Sequence, residues 1–371
     1  MRVAIVGCGQ LSQMLAQAGI PIGLKFSFVA EPDEDTRCVD GLGEVVRYQQ
    51  GAAIGDLFEQ LQRPDVITVE KEQVDSVLLR SLSEYCAVYP DADSVAVCQH
   101  RYREKQLLDS LEIANAPYVY GVADAGCIDK LGLPCVVKSC SEGYDGKNQW
   151  ILKTPDDVDA FRQQEPQGEY IVEQWIPFER EISQVSMRTA NGEIKHYPLA
   201  ENLHENGILK QSVAPAEAVS DQLAFAAKDY ISRIMDRLNY VGVMAMECFV
   251  ASGKLMVNEL APRVHNSGHW TQAGSKTSQF ENHLRAITGM ALGSVQECSI
   301  TGMLNLIGCE KPANSSLPDY STLHWYNKVV RSGRKLGHIN FTSTSHKSLL
   351  QKMQEVKRVA GVGSSKIEGL Q

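Results

Sequence analysis

The sequence predicts an α/β protein, α+β overall, whose N-terminal part is a doubly wound parallel sheet. Short apolar strands alternate with helices over residues 1–93, which is typical of a parallel sheet with helices on both faces. Further along, two apolar stretches, about Val241–Val250 and Leu255–Leu260, flank a turn on Ser252-Gly253 and predict an antiparallel hairpin. The chain has 371 residues, which is enough for two or three domains.

The first 93 residues supply the parallel sheet. Strands are predicted at Arg2–Val6, Phe26–Ala30, Glu44–Tyr48 and Val66–Glu70, and helices at Gln10–Ala18 and Ile54–Gln60. The first turn, Gly7-x-Gly9-x-x-Ser12, is close to the dinucleotide fingerprint but lacks its third glycine, while Glu31 lies about where a ribose-binding acid would. The helix N-terminus could equally hold another ligand's phosphate, so a nicotinamide site remains only an alternative.

The middle of the chain combines a helical region with a small α/β unit. Residues 94–118 are predicted to be helical. Strands follow at Pro134–Lys138, Gln149–Leu152 and Glu169–Ile176, and the loop at 139–148 contains two glycines. Such a loop can place backbone N–H groups over phosphates while a lysine supplies charge, although a plain surface hairpin is an equal alternative.

Two carboxylates interrupt the apolar hairpin, Glu247 in its first strand and Glu259 near the end of its second. An ionised carboxylate in such a strand is unfavourable unless it is paired or binds a metal. A turn with an odd number of residues would place the two side by side, and an even one would place them on opposite faces. If they face each other, oxygen ligands indicate Mg²⁺. Two solvated carboxylates at strand ends are the alternative.

Polar segments follow the hairpin. The run Arg263–His269 contains one fixed cation and is a candidate anion and nucleophile site. His265 and His269 flank Asn-Ser-Gly, a poor helix, so we do not expect a zinc pair. Asp221–Leu238 and Ser278–Thr288 are predicted amphipathic helices. The last part, from about residue 297, contains strand-like runs and a basic turn with Lys328, Arg331, Arg334 and Lys335, which suits one phosphate or is simply solvated.

Composition narrows the possible partners and the compartment. The net charge of −9 argues against binding a nucleic-acid backbone. The sequence contains no apolar run near the roughly 20 residues that span a membrane, and its start lacks the pattern of a signal peptide. Ten cysteines without a C-x-x-C pair indicate reduced thiols. We therefore expect a cytoplasmic protein that acts on small molecules and binds neither nucleic acid nor membrane.

Taken together, the motifs resemble the ATP-grasp superfamily and, within it, the ATP-dependent carboxylases of purine biosynthesis. The match runs in order over essentially the whole chain, and the run NELAPRVHNSGHWT is its most specific part. The residues that carry the resemblance are Gly9-Gln10-Leu11, Arg101, Lys105-Gln106, Lys138, Gly143-Tyr144-Asp145-Gly146, Glu173-Gln174, Tyr240–Val243, Glu247, Asn258–Arg263, His265–His269 and Gly333–His338.

The resemblance implies an ATP-grasp fold in three parts and a ligase activity. These parts are an N-terminal domain at 1–93, an ATP-grasp domain at 94–296 with a mobile lid at about 119–176, and a small β-rich C-terminal domain at 297–371. The implied reaction is carboxylation of 5-aminoimidazole ribonucleotide with ATP, Mg²⁺ and bicarbonate, through carboxyphosphate. The family is typically homodimeric. Alternatives are another ATP-grasp carboxylate–amine ligase, a formate-using transformylase, or an NAD-dependent oxidoreductase.

The resemblance also assigns residues to each ligand. ATP would be bound by Arg101, Lys138, Gly143, Tyr144, Asp145, Gly146, Lys147, Gln149, Glu173, Gln174, Trp175, Ile176, Glu181, His204, Asn258 and Glu259. Mg²⁺ would be bound by Glu247 and Glu259. Bicarbonate and carboxyphosphate would be held by Arg263, His265, Asn266 and Ser267. The ribonucleotide would be held by Tyr144 and Asp145 at its aminoimidazole and by Lys328 and Arg334 at its phosphate, with Asp145 positioning or deprotonating the amine.

This sequence departs from the family pattern at two places. Glu142 and Asn148 replace the outer glycines of the glycine-bearing flap, which predicts altered flap mobility and phosphate approach. Ser12 and Gln13 replace a Gly-Arg pair in the first turn, which predicts a changed N-terminal contact to the substrate phosphate.

Overall fold

The computed structural model describes residues 1–122, 125–141, 148–164 and 166–360, whose strands form three sheets. The first sheet is parallel throughout, in the order β3-β2-β1-β4-β5. Its strands are β1 Arg2–Val6, β2 Lys25–Ala30, β3 Glu44–Arg47, β4 Val66–Val69 and β5 Ala87–Val88. Its helices are α1 Gln10–Gly19, α2 Ile54–Gln60, α3 Ser76–Leu82 and α4 Ala92–Cys98. The predicted parallel sheet is confirmed, and each predicted element lies within one residue of its expected bounds.

The predicted helix at 94–118 is wrong in extent. Helix α4 ends at Cys98 and a separate helix, α5, spans Arg101–Ser110. Glu112 ends this second helix with a left-handed φ of 50°, and the amide of Ile113 donates to the carbonyl of Leu108 at 2.9 Å. This is a Schellman-type cap with glutamate at the position usually taken by glycine, so no glycine marks the end of the helix in the sequence.

The second sheet is antiparallel and has four short strands, and two helices lie between these strands in the chain. The strands are β6 Tyr118–Val122, β7 Cys135–Ser139, β8 Gln149–Leu152 and β9 Glu169–Gln174, in the order β6-β9-β7-β8. The helices are α6 Ala125–Leu131 and α7 Pro155–Gln163. Strand β9 ends two residues before the predicted Ile176. The Trp175 amide still donates to the carbonyl of Pro134, but Pro177 has no amide with which the ladder could continue.

The third sheet has nine strands, all but one in the order β15-β14-β10-β12-β13-β16-β18-β17, with β11 paired to β10. The strands are β10 Arg180–Arg188, β11 Ile194–His196, β12 Ala200–Glu205, β13 Ile208–Ala214, β14 Gly242–Ala251, β15 Lys254–Ala261, β16 Ile300–Ile307, β17 Ser321–Trp325 and β18 Lys335–Ser343. The helices are α8 Asp221–Arg237, α9 Thr271–Gly274, α10 Gln279–Ile287 and α11 His346–Val359. The predicted stripe on α8 lies in a core with β14 and β15. In the described part of the chain, no helix has the length and apolarity needed to cross a bilayer.

His283 on α10 joins the N-terminal sheet to the nine-stranded one. Its Nδ1 accepts the Val243 amide at 3.0 Å, so the proton is on Nε2, which lies 2.8 Å from the hydroxyl of Thr68. The ring is completely buried, and burial lowers the pKa of His283 to about 4. Protonation therefore removes a hydrogen-bond acceptor and introduces a buried charge.

This histidine should make the fold sensitive to acid. In the unfolded chain the residue binds a proton near its ordinary pKa of 6.5, whereas the folded state resists protonation down to about pH 4. The free energy of unfolding should therefore fall by roughly 3 kcal/mol from this residue as the pH drops from 6.5 to 4. Urea unfolding over that range should show a shallower pH dependence for His283→Gln than for the unchanged protein. Parallel curves would contradict the assignment.

Candidate active site

The structure decides the hairpin register, which the sequence had left open between an odd and an even turn. The turn between β14 and β15 has two residues, since Ala251 pairs with Lys254, and an even turn was expected to separate Glu247 from Glu259. A β-bulge compensates: Cys248 pairs with Val257 but Glu247 pairs with Glu259, which leaves Asn258 as the extra residue. The two carboxylates therefore lie opposite each other after all, through a bulge and not through an odd turn.

Glu247 lies in a buried polar cluster. His265 Nδ1 is 3.6 Å from its Oε1, and His204 Nε2 is 3.9 Å from its Oε2. Burial and the neighbouring Glu259 raise the pKa of Glu247, and its Oε1 accepts no hydrogen bond within the described structure. Two facing carboxylates with an unpaired buried oxygen are a donor set that suits a hard divalent cation.

His204 connects this pair to Glu181 on the neighbouring strand β10. Its Nδ1 lies 2.9 Å from Glu181 Oε2. Burial by itself lowers the pKa of His204, but the contact with Glu181 and the nearby charge of Glu247 outweigh burial, so the pKa is raised overall. The structure thus brings three of the predicted site residues, Glu181, His204 and Glu247, into one continuous cluster.

Cations lie on the other side of the pair. Arg101 Nη1 is 3.4 Å from Glu259 Oε2, and Lys138 Nζ is 3.3 Å from the side-chain oxygen of Asn258. Lys138 also lies 2.5 Å from Glu173, and Lys105 lies 2.8 Å from the other oxygen of the same carboxylate. Although burial opposes its ionisation, the two ammonium groups lower the pKa of Glu173 to about 2. One carboxylate shared by two lysines leaves positive charge for an anionic ligand.

The run after β15 forms a second polar group. Arg263 Nη2 contacts Glu72 at 2.8 Å, while its Nε is buried and donates no hydrogen bond to any residue that the structure describes. His265 Nδ1 accepts from Ser267, whose Oγ is 2.9 Å and whose amide nitrogen is 3.3 Å away. Burial and Arg263 hold the pKa of His265 well below its usual value, so the ring is neutral. Asn266 adds a buried side-chain oxygen without a hydrogen-bond partner in the described structure.

The basic turn contacts helix α1 and the loop after β2. Lys328 Nζ donates to the side-chain oxygen of Gln10 at the start of α1. Arg334 Nη2 lies 3.3 Å from Asp35, and its Nη1 donates to the carbonyl of Val329 at 3.2 Å. Burial lowers the pKa of Lys328. Lys328 therefore lies beside the first turn of the chain, whose residues the sequence had also singled out, and Arg334 lies beside the loop that follows β2.

Glu70 fills the glycine turn itself. Its carboxylate accepts the amides of Gly9 at 2.8 Å, Leu11 at 3.2 Å and Ser12 at 3.3 Å. A Cβ at Gly7 or Gly9 would lie 2.5 Å from a Glu70 atom, so the glycines make room for this side chain. The N-terminus of α1 is thus occupied by the protein's own carboxylate, which argues against a dinucleotide pyrophosphate there.

The remaining predicted residues fall into two groups. Gln149 lies in β8, Gln174 ends β9, and Trp175 and Ile176 follow that strand. Outside the described residues lie the altered flap residue Glu142 and the predicted residues Gly143, Tyr144, Asp145, Gly146 and Lys147.

The structure also adds Glu70, Glu72, Glu104 and Lys105 to the neighbourhood of the site. Glu104 was predicted only as part of a helix, and Lys105 carried the family resemblance without an assigned ligand, although their spacing from Arg101 puts both on the same helix face.

Comparison with known proteins identifies the family. A ribonucleotide synthetase preATP-grasp domain model matches residues 1–99, an ATP-grasp domain model matches 106–280, and a phosphoribosylaminoimidazole carboxylase C-terminal domain model matches 301–352. The N5-carboxyaminoimidazole ribonucleotide synthase of Pseudomonas aeruginosa is 39% identical over 361 residues, covering 96% of this chain and 99% of the relative. The chain belongs to the N5-carboxyaminoimidazole ribonucleotide synthase family. The predicted ATP-grasp resemblance is confirmed, and the chain is an ATP-grasp ligase by family.

Further members of the N5-carboxyaminoimidazole ribonucleotide synthase family agree in sequence and fold. The Escherichia coli K12 relative is 40% identical over 347 residues, covering 92% of this chain and 90% of the relative. The crystal structure of the Thermus thermophilus synthetase superposes with a TM-score of 0.89 at 37% identity, covering 99% of this chain and 100% of that one. The Staphylococcus aureus synthetase complexed with ADP superposes with a TM-score of 0.85 at 30% identity, covering 95% and 96%.

Proposed function

We propose that this chain carboxylates 5-aminoimidazole ribonucleotide with ATP and bicarbonate, releasing N5-carboxyaminoimidazole ribonucleotide, ADP and phosphate in purine biosynthesis. The observation that carries the proposal is the bulged hairpin, which sets Glu247 opposite Glu259. The cations Arg101 and Lys138 contact Glu259 and Asn258 at the same bulge. Relatives at 39–40% identity over nearly the whole chain carry the name of this synthase.

The nucleotide would bind between the second sheet and the nine-stranded sheet. Arg101 and Lys138 would contact the phosphates, since both point at the Asn258–Glu259 bulge. Adenine would be recognised by backbone groups at the end of β9, those of Gln174, Trp175 and Ile176. The ribose hydroxyls would bind to Glu181, which has His204 beside it. A related synthetase from Staphylococcus aureus was solved with ADP, which supports a nucleotide site in this fold.

Magnesium fits the carboxylate pair. Glu247 and Glu259 would supply oxygen ligands. Burial and, after it, the charge of Glu259 raise the pKa of Glu247, and a bound cation would offset both effects. When bound there, Mg²⁺ would neutralise charge on the β- and γ-phosphates. Arg101 and Lys138 would hold the same phosphates from the opposite side, so the chain's own cations would orient the γ-phosphate toward bicarbonate.

Bicarbonate would bind at the run after β15. Among the described residues, the buried Nε of Arg263 and the side-chain oxygen of Asn266 have no hydrogen-bond partner. The neutral ring of His265 is fixed by Ser267. A bicarbonate oxygen would attack the γ-phosphorus and ADP would leave, giving carboxyphosphate. Carboxyphosphate would then break its C–O bond to phosphate, releasing CO₂ in a site shielded from water.

The ribonucleotide would capture that CO₂. Lys328 and Arg334 would hold its phosphate, and Tyr144 and Asp145 would contact the aminoimidazole. The exocyclic nitrogen forms the new C–N bond and gives up one proton, which Asp145 would accept or guide to solvent. Buried thiols at Cys8, Cys38 and Cys248 support a reducing, cytoplasmic setting, and the family resemblance supports a homodimer.

The decisive experiment is ADP release by the purified protein with Mg·ATP, adding bicarbonate and 5-aminoimidazole ribonucleotide separately and together. We expect strong stimulation only when both are present. ADP release that does not depend on the ribonucleotide, or that requires formate or another carboxylate, would instead favour a different ATP-grasp ligase or a transformylase. Thermal protection by NAD but not by Mg·ATP would overturn the assignment, and the occupied turn at Glu70 argues against that result.

A further inference from the structure

The bulge in β15 requires support from outside the hairpin. In a regular edge strand, the amides that face away from the partner recur at every second residue. On either side of the bulge, the amides that face away from β14 are those of Val257 and Leu260, which are three residues apart. The spacing is three because Asn258 is inserted between Val257 and Glu259, which pair with consecutive residues of β14. The bulge persists only if both outward amides find acceptors, since a buried amide without one is strongly unfavourable.

Both acceptors come from helix α5 and the segment that follows it. Val257 donates to the carbonyl of Ala114 at 2.8 Å. Leu260 donates to Oε2 of Glu104 at 3.0 Å, and Glu104 is only 4% exposed. The first contact uses a backbone oxygen that any residue would supply, whereas the second depends on the length and oxygen of one side chain.

Helix α5 presents a single face to the site. Arg101, Glu104 and Lys105 are spaced i, i+3 and i+4, so their side chains leave the helix on one side. Arg101 contacts Glu259, Glu104 contacts the next residue's amide, and Lys105 contacts Glu173. Of these three side chains, Glu104 is the one that contacts the backbone of β15. The other two, Arg101 and Lys105, contact the carboxylates of Glu259 and Glu173.

We propose that Glu104 is a positioning residue for Glu259. By accepting the Leu260 amide, its carboxylate holds the bulge in place, and the bulge keeps Glu259 opposite Glu247. In a hairpin without the bulge, Asn258 would pair with Glu247 and the Glu259 side chain would point to the other face of the sheet. The role rests on the proposed magnesium–nucleotide site, since it gives Glu104 an effect on metal-dependent binding.

The test compares Glu104→Ala, which has no acceptor, with Glu104→Gln, whose amide oxygen can still accept. Arg103→Ala is the matched control, because Arg103 is the exposed neighbour on the same helix. Calorimetry would measure ADP affinity with Mg²⁺ and with EDTA, and hydrogen exchange would follow the Leu260 amide. We expect Glu104→Ala to weaken Mg·ADP binding about tenfold or more while metal-free ADP binding changes less than about threefold.

The same variant should expose the Leu260 amide to exchange, while Glu104→Gln and Arg103→Ala should stay close to the unchanged protein in both measurements. Equal loss of ADP affinity with and without Mg²⁺, or unchanged Mg·ADP binding, would overturn the role. If Glu104→Ala does not fold, Glu104→Asp answers the same question, because its carboxylate falls one methylene short of the amide. If the unchanged protein does not bind Mg·ADP, the proposed function fails, and Leu260 exchange alone still decides whether Glu104 holds the bulge.

Discussion

Replacing Glu259 with glutamine should lower turnover at least about 100-fold, as expected for a major electrostatic stabiliser of the transferring phosphate. The substitution keeps the size and hydrogen-bonding oxygen of the side chain but removes its charge, so Mg²⁺ would lose one of its two proposed anionic ligands and Arg101 would lose its ion pair. Steady-state ADP release with all substrates saturating measures the effect.

The control for this variant is Glu205→Gln. Glu205 is an exposed carboxylate on strand β12 of the same sheet, outside the hairpin. It should leave turnover within about twofold, as is usual for surface positions away from special features. Near-normal turnover of the Glu259 variant would mean that the metal lies elsewhere. The bulge would then not serve to place a metal ligand.

Replacing Arg334 with alanine should raise the KM for the ribonucleotide at least about tenfold and the KM for ATP far less. A contact made equally in the ground state and the transition state changes KM and leaves kcat in place. In the structure Arg334 is held by Asp35, in the loop after β2, and by the carbonyl of Val329, so its guanidinium is already oriented. Pre-orientation of this kind reduces the entropy lost when a phosphate binds.

Arg331→Ala provides the matched comparison. Arg331 lies on the same basic turn but is exposed, so removing it changes the local charge equally without removing the oriented group. Its effect on either KM should stay within about twofold to threefold, because exposed charges are screened by salt. Equal effects of Arg334→Ala on both substrates would refute a phosphate-specific contact.

Local patterns carried most of the fold prediction. The strands of the first sheet and the helix at Asp221–Arg237 were predictable because their apolar periodicity lies within a few neighbouring residues. The helix end at Glu112 was not, because a glutamate there adopts a conformation usually reserved for glycine. The ends of strands and helices were therefore less predictable than their existence.

The site was harder to predict, because its geometry depends on contacts far apart in sequence. Glu247 and Glu259 were recognised as a pair, yet the hairpin alone gives the wrong register. The bulge that corrects it is held by Glu104, more than 150 residues earlier in the chain. Glu70 likewise ended a predicted strand, but its binding to the first helix depends on β1 and β4 being neighbours.

The most direct measurement of the proposed chemistry is ADP release in bicarbonate labelled with ¹⁸O, followed by mass analysis of the phosphate. If a bicarbonate oxygen attacks the γ-phosphorus and the carboxyphosphate later breaks at carbon, each phosphate formed in the presence of the ribonucleotide carries one labelled oxygen. Phosphate that carries only water oxygen, formed alongside ADP in the same reaction, would contradict the account.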